Sequence, residues 1–195
     1  MSDMPIPANE AERVERLRRF RILDSLRDES YDRIVRMASQ LTDTPVSFIS
    51  LIEEERQWFK AVRGIDLQED RREFAFCAHT ICQDDVLVVE DATTDDRFRD
   101  SPYVTAENGV RFYAGTPLRT ECGHNVGTLC VVDTKPRGIT EGEKQLLRDL
   151  ADVVVEQLGL HELVQRAERA EQRLKDAVDA LPGGFSLYDA EDRLV

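Results

Sequence analysis

RFYAGTPLRTECGHNVGTLCVVD, Arg111–Asp133, decides the fold. Phe112, Ala114, Thr116 and Leu118 alternate with Tyr113, Gly115, Pro117 and Arg119. After a short break, Val126, Thr128, Cys130 and Val132 alternate with Gly127, Leu129 and Val131. Period-2 alternation rich in β-branched and aromatic residues is the signature of strands. The break, Thr120 to Asn125, carries Gly123 and Asn125, which tolerate positive φ. The run therefore predicts an antiparallel hairpin. The first two-thirds of the chain makes sense if it packs on this hairpin and roofs a pocket over it.

The same run resembles the closing hairpin of a GAF domain, a small-molecule sensor module of bacterial signalling proteins. Two earlier stretches, FAFCAHTI and DATTDDRFRDSPYV, fit that family in the same order, and ILDSLRDESYDRIVRMAS resembles its helical entry. The resemblance covers roughly residues 10 to 160. It implies an α+β fold: an antiparallel sheet flanked by helices on one side and by a loop and short-helix lid on the other. It names no ligand, because one fold hosts many binding chemistries.

Charge narrows the functional classes. The 195 residues carry a net charge of −13. Phosphate backbones need a basic face, so nucleic acid is excluded as the expected partner, and an anionic membrane surface is disfavoured. No run is long enough to span a bilayer. MSDMPIPANEAER lacks a signal-peptide core, so the expected location is cytoplasmic. In a reducing compartment Cys77, Cys82, Cys122 and Cys130 read as free thiols. Cys130, mid-strand among apolar residues, reads as a small core residue.

In chain order, residues 1–9 read as an extended leader and 10–139 as the GAF domain. Asn9 and Glu12 have capping-box spacing, predicting a helix to about Ser25 with Val14, Leu17 and Phe20 inward. A second helix is predicted over Tyr31 to Leu41, with Ile34, Val35, Ala38 and Leu41 as its core face. Val46 to Ile52 is wholly apolar or small and predicts a central strand buried on both faces. Gln57 to Arg63 pairs with it, with Trp58 and Lys60 on one face and Phe59 and Ala61 on the other. Asp66 to Glu73 is charged and predicted exposed. Val86 to Val89 predicts a short strand.

Residues 140–180 read as a signalling helix opened by the Thr140–Glu143 capping box. Leu150, Val153, Leu160, Val164, Ala167, Leu174 and Val178 repeat at alternating threes and fours, a heptad seam interrupted by Gln157 and Glu171. The first part suits packing on the sheet. The part beyond Leu160 is too polar elsewhere to be core, and predicts a parallel two-stranded coiled coil. The N- and C-terminal helices are thus the expected homodimer contacts. Residues 181–195, LPGGFSLYDAEDRLV, resemble the opening of a PAS domain and imply that the natural protein continues.

The candidate pocket residues are Trp58, Phe76, Cys77, His79, Phe98, Tyr103, Arg111, Phe112 and Tyr113. The aromatics suit an apolar wall, or equally a filled core. His79 reads more readily as a hydrogen-bonded structural residue than as a ligand contact. Arg111 reads as a salt bridge to Asp95, Asp96 or Asp100, or as a guanidinium facing an anion. Cys77, His79 and Cys82, with Cys122 or His124, make a zinc set in composition, but the spacing matches no common zinc signature, so no metal is expected. No cofactor is named by the sequence. The reading is a small-molecule-sensing and dimerising module coupled through the coiled coil to PAS and an output domain, by resemblance a histidine kinase or diguanylate cyclase. The chain itself has no kinase or cyclase motif. The rivals are a cysteine redox protein, with Cys77 attacking and Cys82 or Cys122 resolving, and a ligand-free structural dimeriser.

Overall fold

A computed structural model describes residues 4–180. The PAS-like stretch falls outside the described residues. The helices are α1 (Glu10–Phe20), α2 (Glu29–Leu41), α3 (Phe76–Thr80), α4 (Pro102–Thr105) and α5 (Glu141–Asp179). The strands are β1 (Val46–Ile52), β2 (Arg56–Arg63), β3 (Glu69–Arg71), β4 (Leu87–Val89), β5 (Phe112–Arg119) and β6 (Asn125–Asp133). They form one antiparallel sheet in the order β3-β2-β1-β6-β5-β4. The β5–β6 hairpin predicted from the sequence lies beside β1, and Gly123 turns it at φ +82°.

Alternation sorts the sheet into two cores. Ile49, Leu51, Trp58, Phe112, Ala114, Leu129 and Val131 face α1, α2 and the first half of α5. Phe48, Ile52, Phe59, Tyr113, Cys130 and Val132 face α3, α4 and their loops. Burial of β1 on both faces explains its lack of polar alternation. One β-bulge breaks the expected pattern. Ile49 pairs with Ala61 but Ser50 pairs with Phe59, so Lys60 is the extra residue. Ala61 thereby joins the helix-side core instead of following Phe59. Lys60 reaches the α1–α2 loop, where Nζ donates to Ser25 Oγ at 2.9 Å and to the Leu26 carbonyl at 2.8 Å.

Other expectations are corrected. α1 stops at Phe20, because Arg21 takes a left-handed conformation at φ 52°. The capping box at Asn9 does not form; its Nδ2 instead bonds His124 Nδ1 across the fold at 3.0 Å. Leu41 ends α2 on the solvent side and is exposed. The charged stretch 66–73 is not uniformly exposed: it supplies edge strand β3, and Arg72 is buried.

The capping box of α5 does form: Glu143 N donates to Thr140 Oγ1 at 3.2 Å, and Thr140 N donates to Glu143 Oε2 at 2.7 Å. Leu147, Leu150, Ala151, Val154 and Leu158 bury one face of α5 on the sheet domain. Leu150 therefore belongs to the intramolecular core and not to the seam. Glu162 closes this contact, accepting from Arg16 Nη1 at 2.7 Å. Val153, Leu160, Val164 and Leu174 are exposed on a neighbouring flank of the helix, roughly a third of a turn around from that core face. Ala167 is exposed with them and Val178 is half-buried.

Candidate functional site: a lidded apolar pocket

Between the lid and the β1, β2, β5 and β6 face lies a pocket of about 320 Å³. Strand alternation supplies its floor, Phe48, Phe59, Tyr113 and Val132. The lid supplies Phe76 and Cys77 from α3, Tyr103 from α4, and the loop 106–110. A sharp backbone serves this loop: Asn108 sits at φ +57°, and the Val110 N–H donates to the Tyr103 carbonyl at 2.8 Å. The aromatic rings form a contiguous framework. Phe76 stacks on Phe98 at 4.0 Å and on Tyr113 at 5.0 Å, and Phe48 meets Phe59 edge-on at 5.2 Å.

A few polar groups enter this wall. The Tyr103 hydroxyl donates to Asp70 Oδ2. Burial first, then that carboxylate, pushes the Tyr103 phenol well above its ordinary range. Gln57 is buried, and its Oε1 has no hydrogen-bond partner among the described residues. A buried amide oxygen without a donor is costly unless something else supplies one. Asp70, Glu107 and Asp133 line the same space, and no lysine or arginine does.

The sequence candidates divide over several places. Phe76, Cys77, Tyr103 and Tyr113 line the pocket. Trp58 and Phe112 do not. They fall on the opposite parity of their strands and pack against the helices. His79 and Phe98 line a separate cleft of about 280 Å³ with Arg97 and Asp96, with the imidazole edge-on to Phe98 at 4.7 Å. Burial first, then Arg97, holds the His79 pKa below its usual value. Arg111 fits neither reading made for it. Its Nη1 donates to the Val104 and Val110 carbonyls at 2.8 and 3.1 Å, so it fastens the lid loop to the sheet. No group of three or more His, Cys, Asp or Glu among the described residues is arranged to hold a metal. No helix among them is long and apolar enough to cross a membrane.

The sequence reading missed Phe48, Gln57, Phe59 and Asp70. Phe59 had a usable signal, since alternation already set it opposite Trp58. Asp70 had none, because a charged segment gives no hint that one carboxylate folds under a tyrosine.

Helices on one face of an antiparallel sheet and a lid enclosing an apolar pocket on the other define an α+β sensor-type module. Residues 27–158 match the GAF domain model, and the chain belongs to the GAF domain family, a family of sensor and regulatory modules. Over 156 residues, 80% of this chain, it is 40% identical to a cyclic di-GMP phosphodiesterase of Pseudomonas aeruginosa, and it spans 27% of that protein. Its fold is similar to the GAF domain of an Acinetobacter phosphoenolpyruvate-protein phosphotransferase, with TM-score 0.59 and 17% identity over 85% of this chain and 99% of that one. It is also similar to a type II free methionine-R-sulfoxide reductase from Thermoplasma acidophilum, with TM-score 0.55 and 13% identity over 67% of this chain and 90% of that one.

Proposed function

We propose that residues 10–139 are the small-molecule-sensing domain of a bacterial signal-transduction protein, and that residues 140–180 dimerise it and carry the signal onward. The observation that carries the sensing reading is the lidded pocket with its unpartnered Gln57 amide oxygen. Its lining also supports a ligand class. Three carboxylates and no basic side chain repel an anion, while aromatic faces beside carboxylates suit a neutral or cationic, mostly apolar molecule with an N–H or O–H donor for Gln57. The ligand signals only by binding two arrangements of the lid and helix unequally.

The exposed Val153, Leu160, Val164 and Leu174 stripe supports a parallel two-stranded coiled coil of α5 with a second copy. The Pseudomonas relative favours an enzyme of cyclic di-GMP turnover as the output, ahead of a histidine kinase; the PAS domain between them rests on the sequence resemblance of residues 181–195 alone.

Native mass spectrometry of the purified chain, joined to a thermal-shift screen, tests both halves. A dimer is expected, and Val164→Asp with Leu174→Asp should give a folded monomer. Neutral and cationic aromatic compounds should raise Tm, and Gln57→Ala should weaken that shift. A dimer that survives the double substitution would refute the α5 interface. Stabilisation by anionic nucleotides alone would refute the assignment of the pocket.

A further inference from the structure

Two buried thiols meet at the base of the lid. Cys77 lies in the first turn of α3 and Cys130 in mid-β6, and their Sγ atoms are 3.6 Å apart. Both side chains are buried, yet Cys77 also lines the pocket. Polar groups surround the pair in an otherwise apolar core. The Tyr113 hydroxyl lies 3.1 Å from Cys130 Sγ and 3.6 Å from Cys77 Sγ, and 2.7 Å from Thr80 Oγ1. Thr128 Oγ1 lies 2.9 Å from Cys130 Sγ and 3.0 Å from Ser50 Oγ. Gly115 makes this arrangement possible, because a Cβ there would fall 2.1 Å from the Tyr113 hydroxyl.

We propose that Cys77 and Cys130 are a reversible dithiol–disulfide pair, oxidised by a small hydroperoxide that enters through the pocket. The resolving sulfur is thus Cys130, and neither Cys82 nor Cys122, which are exposed. Cys77 is the nucleophile, because it and not Cys130 lines the pocket. Burial raises its pKa, but hydrogen bonds, that with Cys130 first, outweigh this and hold the thiol below its ordinary range. Burial and the adjacent Cys77 hold Cys130 well above the ordinary thiol range.

The Cys77 thiolate attacks one peroxide oxygen. An S–O bond forms, the O–O bond breaks, and the other oxygen leaves as water after taking up a proton. The sulfur is oxidised by two electrons to a sulfenic acid. Cys130 sulfur then attacks Cys77 sulfur. The S–S bond forms, the S–O bond breaks, and hydroxide leaves with the Cys130 proton as a second water. Two thiols and one hydroperoxide become one disulfide and two waters (or one water and one alcohol, for an organic hydroperoxide). A disulfide needs the sulfurs at about 2.05 Å. Closing the gap pulls the start of α3 toward β6, so oxidation ties the lid to a central strand.

The test uses the full chain carrying Cys82→Ser and Cys122→Ser, which leaves only this pair. It is treated with hydrogen peroxide while folded, then denatured and alkylated, and its intact mass is measured. The expected result is a monomer mass lower by two hydrogens, with alkylation falling from both thiols to none and returning after dithiothreitol. Adding Cys130→Ser should leave Cys77 as a sulfenic acid trapped by dimedone. If that variant fails to fold, the two-cysteine chain still decides. Both thiols alkylating fully after peroxide, or a disulfide forming only between chains, would overturn the proposal.

Discussion

Beneath the N-terminal helix two buried guanidinium groups share one carboxylate, and Glu10→Gln should reveal how much stability that carboxylate supplies. Arg13 and Arg72 are 0% and 1% exposed. Glu10 accepts from Arg13 Nε and Nη2 at 2.9 and 2.7 Å, and from Arg72 Nη1 at 2.5 Å. Otherwise the two cations rest on carbonyls: Arg13 Nη1 donates to Ile52 at 2.6 Å and Arg72 Nη1 to Glu53 at 2.9 Å, while Arg72 Nε has no partner among the described residues. The substitution keeps the size of the side chain and removes its charge. Breaking a buried ion pair from one side costs about 3–5 kcal/mol. Glu10 is partly exposed, and water screens part of this, so the expected loss is about 2–3 kcal/mol.

The loss should depend on pH. Burial alone would raise the Glu10 carboxyl, but the hydrogen bonds and charges of Arg13 and Arg72 bring it down from 4.5 to about 2. Because the folded-state pKa is depressed, the stabilisation is present above the unfolded pKa and is lost as pH falls from about 4.5 toward 2. Urea unfolding of both proteins, followed by the fluorescence of the single tryptophan, Trp58, measures the gap at two pH values. By pH 3 the gap should shrink to less than about half its pH 7 value. A gap under about 0.5 kcal/mol at pH 7 would show that the carbonyls suffice for both cations, against the expected cost of a broken buried pair. An equal gap at both pH values would show that the charge of Glu10 is not what matters.

Thr140→Ala removes the side chain that receives the Glu143 N–H. It should destabilise the fold by about 1 kcal/mol in the same urea assay, with the dimer mass unchanged. Phe76→Ala empties the space between Phe98 and Tyr113. It should cost about 3–5 kcal/mol and speed amide exchange in α3 before it does so in β1 or β6; a cost under about 1 kcal/mol would mean that the lid is not anchored by this ring.

Local pattern carried much of the architecture. The hairpin of β5 and β6 was legible because period-2 alternation with a glycine turn has few other folded solutions. The capping box placed the start of α5, since both of its hydrogen bonds lie within one turn. The heptad spacing marked an apolar stripe beyond Leu160, but could not tell that Leu150 belongs to a different face. That depends on which side of the helix meets the sheet. Where residues interact across long separations, the sequence misled. Asn9 has capping spacing, yet its amide is taken by His124, a residue far along the chain.

The sequence by itself determined the central strands β1, β2, β5 and β6, the helix that leaves the domain, the family and the acidic character of the chain. These follow from neighbours in the chain, where side-chain period and backbone propensity act. Only the tertiary structure decided the sites. The bulge at Lys60 set which face Ala61 joined, burial brought Asp70 under Tyr103, and the approach of α3 to β6 set Cys77 beside Cys130 rather than beside Cys82. Such pairings are fixed by how two layers pack, and no local spacing encodes the distance between them.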